Sequence, residues 1–170
     1  SGPLQGHLVR PSDHKEPKKI AWLQCVGSRD VNHCDNSYCS SVCCMYSIKQ
    51  AVIAKEHVKD GLETAIFFMD MRTFGKDFEP YYDRAREEHG VNFIRSRVHS
   101  IDPVPGTGDL ALSYVDEGGD ILEDVFDLVV LSVGMQTPTA VTELAERLGV
   151  SLDPDGFCTT SSFQPVTTSR

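Results

Sequence analysis

Five of the six cysteines fall between residues 25 and 44, and this crowding constrains the chain more than any other feature. A disulfide framework spreads its cysteines so that each bridge closes a useful loop. Cysteines packed into one short stretch point instead to metal or redox chemistry. The stretch also sits at a change of pattern. Before it runs the apolar segment IAWLQCV at 20–26, read as a buried strand, and after it an amphipathic helix begins near Val42. The cysteines therefore occupy the connection from the first strand to the first helix.

The remaining segments extend this reading. Met45, Ile48, Ala51, Val52 and Lys55 form a stripe with a polar edge, and the helix is expected to end near 59–61 with Gly61 as C-cap. A second buried strand covers 64–69, a second helix runs from 79 to 89 before Gly90, and a third strand opens at 91–94. Segments 110–115 and 120–126 flank Glu117-Gly118-Gly119 as a hairpin, and 127–134 is the most apolar strand. Strands alternating with helices predict an α/β fold, a degenerate Rossmann-like parallel sheet with a β hairpin or meander and helices on both faces. Ligands of such sheets sit at the carboxyl ends of the strands, where Cys25, Cys43 and Cys44 converge. Residues 1–19 read as a polar connector, 20–140 as the domain that carries the cysteines, and 141–170 as a segment returning toward another domain. The polar start and the unclosed end predict a piece of a longer chain.

Thirteen residues separate Cys25 from Cys39, three separate Cys39 from Cys43, and Cys44 is adjacent. With an early helix start, Cys39 and Cys43 at i, i+4 face the same way. Adjacent Cys43 and Cys44 cannot, so one of them reaches a different corner of the site. A cubane cluster accepts thiolates from splayed directions, and a helix N-terminus lowers thiol pKa values. The candidate ligands are thus Cys25, Cys39, Cys43 and Cys44, with Cys34 as a possible substitute. His33 is expected to be solvated and Cys158 to be structural or unengaged. Three alternatives stand beside the cluster: buried cysteines acting as small hydrophobes, a four-cysteine zinc site, and a redox disulfide.

WLQCVGSRD at 22–30, YCSSVCCMYSIKQA at 38–51, FFMDMRTFGKDFEPYYDRA at 67–85 and DLVVLSVGM at 127–135 resemble the A subunit of heterodisulfide reductase. They also resemble the related A subunit of the quinone-interacting membrane-bound oxidoreductase complex. The resemblance covers nearly the whole chain and implies part of a thioredoxin-reductase-like flavoprotein. It implies a [4Fe–4S] cluster on Cys25, Cys39, Cys43 and Cys44, FAD on a flanking domain, and electrons passing between them toward other subunits of the complex. Two departures stand out: the loop from Cys25 to Cys39 is longer than the family pattern and contains Cys34, and the first FAD fingerprint is absent. FAD is therefore expected only in the longer protein. Gly134 ends the strand that leads back toward the flavin, which makes it the candidate flavin-proximal residue and a sharp backbone turn.

A net charge of −9 and the lack of a basic stripe exclude a nucleic-acid partner. No apolar run is long enough for a spanning helix, and a cytoplasmic location is expected. The turn after the first strand, CVGSRDVNHC, has Gly27 alone where a dinucleotide site needs G-x-G-x-x-G, so NAD(P)H binding is not expected. Asp70 is read as a loop cap or partner contact. Arg72 and Lys76 are read as tempering a nearby negative cofactor, docking a partner, or staying solvated. Tyr82, Ala85 and Arg86 are expected to cover the sheet. A zinc-stabilised binding module and a pyridine nucleotide-disulfide reductase with a catalytic cysteine pair are the rival functions.

Overall fold

Alternation along the first strand sets the architecture. Ile20 and Trp22 point to one side, Ala21 and Leu23 to the other, and all four are buried. A strand buried on both faces belongs in the middle of a sheet covered on both sides. The computed structural model describes residues 4, 6–58 and 61–169. Its elements are β1 (Lys19–Val26), α1 (Cys43–His57), β2 (Glu63–Phe68), α2 (Phe78–Glu87), β3 (Asn92–Arg95), β4 (Ser100–Pro103), β5 (Leu110–Val115), β6 (Ile121–Phe126), β7 (Leu128–Val133) and α3 (Thr139–Leu148).

β3, β2, β1 and β7 lie side by side in that order, all parallel. The direction of winding reverses at β1, so the gap between the carboxyl ends of β1 and β7 is the topological switch point. Ile20, Trp22 and Ile66 meet Ile48, Ala51 and Val52 of α1 and Ala85 of α2 on one face. Ala21, Leu23, Ala65 and Phe67 meet Leu112, Tyr114 and Phe126 on the other. That second cover is the antiparallel sheet β4-β5-β6, where the sequence predicts helices on both faces. Phe67 packs edge-on against Tyr114 at 4.9 Å and Phe126 at 5.9 Å, so aromatic bulk from the meander fills the space a helix would take. Truncating wholly buried Ile66 to Ala would cost about 2–5 kcal/mol.

Element ends follow local chemistry. Gly90 sits at φ +62 while the Val91 N–H returns to the Ala85 carbonyl at 2.9 Å, the glycine-closed helix end expected after α2. α1 instead closes at Val58, in extended conformation, ahead of Gly61; residues 59 and 60 lie outside the described residues. On α2, Tyr82 packs against Phe93 and Ala85 is fully buried, but Arg86 reaches out to Asp83 and Glu87 and does not cover the sheet. A guanidinium has too many donors to satisfy inside an apolar layer. The lead before β1 is tied down by Arg10, which bonds Asp13 and Asp109, and by Asp127, which accepts the Lys18 and Lys19 N–H groups at 2.7 and 3.1 Å.

Residues form two compact units, Ser1–Val26 with Ser41–Val133, and Gly27–Ser40 with Gly134–Arg170. Among the described residues, no helix is long and apolar enough to cross a membrane.

Candidate metal centre

β1 does not end as a regular strand. Leu23 pairs with Leu131 and Val26 with Val133, so Gln24 and Cys25 together oppose the single residue Ser132. This is a bulge, and Cys25 sits in it at φ +60, left-handed and unusual for a residue with a Cβ. Regular alternation would turn Cys25 to the Leu23 side; the bulge brings its thiol to the N-terminus of α1, where it hydrogen-bonds the Cys43 thiol. Cys43 also bonds the Cys44 thiol, so three buried sulfurs gather where strand ends and helix begins.

The helix end is prepared for negative charge. Its first turn contains no acidic residue, and no side chain caps it. Hydrogen bonds from Cys25 first and Cys44 second, joined by the Cys25 and Cys43 backbone N–H groups, pull the Cys43 thiol far below the ordinary thiol range against its burial. Cys44 moves the opposite way, because its hydrogen bond to Cys43 and its burial both favour the protonated form. The two sulfurs therefore titrate together and not independently. The Arg72 backbone N–H also approaches the Cys44 sulfur, while its guanidinium bonds Asp70 at 3.2 Å. Asp70 is thus an ion-pair partner within its own loop.

Two polar links, one buried and one exposed, hold α1 against β7. The hydroxyls of Ser47 and Ser132 meet at 2.8 Å with both residues wholly buried, and Tyr46 Oη donates to the Val133 carbonyl at 2.7 Å. Gln24 Nε2 reaches Ser132 Oγ at 3.3 Å across the bulge. Nothing in the strand–helix pattern foretold this lock; the serines are its only trace in the sequence.

Cys39 does not lie on the helix. Ser41 takes φ +60, which no right-handed helix passes through, so α1 starts at Cys43 and the i, i+4 relation to Cys39 falls away. Cys39 belongs to the unit formed by Gly27–Ser40 and Gly134–Arg170, and its neighbours there are fastened. Tyr38 Oη donates to the Met135 carbonyl at 2.8 Å, and the Tyr38 ring meets Phe157 edge-on at 5.1 Å. Ser40 Oγ pairs with Ser28 Oγ at 2.7 Å and accepts the Met135 N–H at 2.8 Å. Gly134 has no left-handed φ, so it is not the sharp turn expected of it. Its need is spatial: a Cβ there would stand 2.0 Å from Ser28 Oγ and 2.2 Å from Ser40 Oγ.

In the same loop Asp30 accepts the Asn32 and His33 N–H groups at 3.1 Å and contacts His33 Nδ1 at 3.2 Å. His33 is an outlying partner of that turn. Cys34 and Cys158 are exposed. No disulfide joins any of the six cysteines, and among the described residues no three His, Cys, Asp or Glu side chains form a ready site for a single metal ion. The sulfur-only donor set at a helix end free of acids does fit an iron–sulfur group. Cys39 and Cys44 have four residues between them, the CxxxxC spacing of a redox pair.

No family model matches the chain. Curated relatives do. The chain is 47% identical over 158 residues to an iron-sulfur A subunit of the CoB–CoM heterodisulfide reductase of Methanopyrus kandleri, covering 92% of the chain and 24% of that protein. It is 46% identical, with the same two coverages, to the A subunit of the H2/formate:CoB-CoM heterodisulfide,ferredoxin reductase of Methanococcus maripaludis. A protein of Archaeoglobus profundus, named for its likeness to the heterodisulfide reductase A subunit, is 37% identical, with 92% of the chain and 25% of that protein covered. Among solved structures, LpdA of Mycobacterium tuberculosis matches with a TM-score of 0.50 at 12% identity, over 87% of this chain and 27% of that one, a likeness of fold.

Proposed function

Because the chain belongs to the family of heterodisulfide reductase A subunits, spanning about a quarter of its relatives' length, we propose that it carries the cysteine-bound [4Fe–4S] centre of an electron-relaying flavoprotein. The observation that supports this most is the convergence of Cys25, Cys43 and Cys44 at an acid-free helix N-terminus. Cys39, four positions before Cys43, is the proposed fourth ligand, with Cys34 as the substitute. When bound, the cluster would supply reversible one-electron storage. The residues of this chain do the rest. The β1 bulge aims Cys25, the Ser47–Ser132 bond fixes the helix start, and the first-turn N–H groups offset anionic charge.

The longer protein is proposed to hold FAD in flanking sequence, with Gly134 on the side that leads to it. Its electrons would pass to other subunits of a heterodisulfide-reductase-like or quinone-interacting complex in the cytoplasm. The same helix N-terminus cannot also serve a pyrophosphate, since two anions would compete for about half a unit of positive charge. NADH and NADPH are therefore not expected to bind.

The test is anaerobic reconstitution followed by iron and acid-labile sulfide analysis. Broad visible absorption that bleaches on reduction is expected. Stoichiometric zinc without sulfide, in protein matured in its own host, would overturn the reading. So would a Cys39–Cys44 disulfide that turns over in place of any cluster, which the CxxxxC spacing makes the second reading.

A further inference from the structure

Between the first turns of α1 and the loop entering α2 lies an open groove of about 660 Å3. Val42, Met45, Phe74, Phe78 and Tyr81 give it an apolar floor, and Phe74 and Phe78 are 58% and 43% exposed. Lys49, Lys76 and Arg84 stand around it, with Asp77 as the one acid. Among the described residues, none of these three cations has a carboxylate partner. Elsewhere several cations meet acids, Arg10 with Asp13, Lys19 with Asp124, Arg72 with Asp70 and Arg86 with Asp83, while Lys55 and Arg95 bond carbonyls. The chain has 25 acidic residues against 16 Lys and Arg, so three cations around a groove with one acid form a positive patch on a negative chain, where Arg84 also lies over the Tyr81 ring at 5.7 Å.

We propose that this groove seats an acidic protein segment that presents one bulky apolar side chain. Charge complementarity names the acid, and the exposed aromatic floor names the apolar anchor. None of the residues lining the groove is buried, so it lacks the enclosed polar groups that orient a small ligand and has the make-up of a docking surface. The floor is also preformed. The Phe78 ring lies against the backbone of Gly75, where a Cβ would come within 2.9 Å of it, and Gly75 takes φ +112. Val42 directly precedes Cys43, and Tyr46, anchored to Val133, borders the groove one turn further on. A segment held here would therefore rest beside the thiol cluster. The proposal deepens the relay reading by naming the partner chemistry, and it relies on that reading only for why a partner docks at this edge.

The probe is a short fluorescent peptide of Asp and Glu around one Phe, titrated against the full chain by anisotropy. Lys49→Glu with Lys76→Glu and Arg84→Glu should weaken binding by about tenfold or more, and added salt should weaken it in the parent. Phe74→Ser, or a peptide with Ala for Phe, should weaken it as well. Circular dichroism confirms that the variants fold, as all four side chains are exposed. Equal affinity in the charge-reversed variant, no binding at millimolar peptide, or tighter binding of adenosine monophosphate than of peptide would each overturn the proposal. The titration is run on metal-free and on iron-loaded protein. Failure to load iron counts against the relay alone, whereas loss of peptide binding in both forms counts against the groove alone.

Discussion

Replacing Gly134 with Ala disturbs the proposed centre without touching a sulfur. The new Cβ would lie 2.0 Å from Ser28 Oγ and 2.2 Å from Ser40 Oγ, more than ~1 Å inside van der Waals contact with both. The two serines are only 1% and 4% exposed, so their hydroxyls have little room to retreat. Relieving the clash breaks the 2.7 Å Ser28–Ser40 bond and the 2.8 Å bond from the Met135 N–H. Overpacking contributes about 1–3 kcal/mol and each buried hydrogen bond about 1 kcal/mol, so the substitution should cost on the order of 3–5 kcal/mol. Because Tyr38 and Ser40 flank Cys39, the loop that carries this cysteine should loosen. Urea unfolding reads the stability, and the rates of Cys39 alkylation and of iron retention after reconstitution read the loop. The control is the same substitution in a Ser28→Ala/Ser40→Ala background, where both clashing oxygens are gone and the residue-40 Cβ stands at 3.2 Å. There Gly134→Ala should cost less than about 1 kcal/mol. An equal cost in both backgrounds, or an unchanged Cys39 alkylation rate in the single variant, would refute the reasoning.

Exposed Cys34→Ser should retain iron and sulfide after reconstitution, while Cys39→Ser should lose or distort the cluster; metal analysis and the visible spectrum decide, and the reverse result makes Cys34 the ligand. Ser132→Ala strands the buried Ser47 hydroxyl and should cost about 1–3 kcal/mol in urea unfolding, whereas Ser47→Ala/Ser132→Ala should lie nearer the parent. Arg10 holds the Asp13 carboxyl down to about 2, so its contribution to stability is present above the ordinary carboxylate range and is lost as pH falls toward 2. An NMR titration should show this low value in the parent and a return toward 3.8 in Arg10→Met.

What the sequence made legible was whatever rests on period and composition. Continuous apolar runs in β1, β2 and β7, the glycine turn between β5 and β6, and Gly90 after α2 all stand where period and turn chemistry place them. β4 escaped because Ser100–Pro103 is short and mostly exposed, whereas α3 was readable from Val141, Leu144, Ala145 and Leu148 at helical spacing before Gly149 and was overlooked. The cover of the second sheet face was missed for a different reason. A meander strand and a helix can both supply one apolar stripe, and only the aromatic fit of Phe67 with Tyr114 and Phe126 decides between them. At the site, cysteine crowding pointed to Cys25, Cys43 and Cys44. The turn at Ser41 that separates Cys39 from the helix was invisible, because a serine at positive φ has no sequence mark. Gly134 was noticed for the wrong property, its freedom to turn, when the hydroxyls on either side make its size the requirement.

The irregularity at Gln24 and Cys25 acts on β1 as a frameshift acts on a reading frame. Upstream of it, even and odd positions answer to the two core layers, and downstream that parity no longer applies. The core of the domain and the aim of its first thiol are thereby released from each other. Ile20 through Leu23 can be repacked for stability while the direction of Cys25 stays set by two residues facing one. Adding one residue to β7 beside Ser132 would give Gln24 and Cys25 a partner each, restore the frame and turn the thiol toward the meander, with every ligand still present in the sequence. An alignment of cysteines alone would score such a protein as intact, so a relative with one extra residue in β7 would keep the signature and lose the geometry.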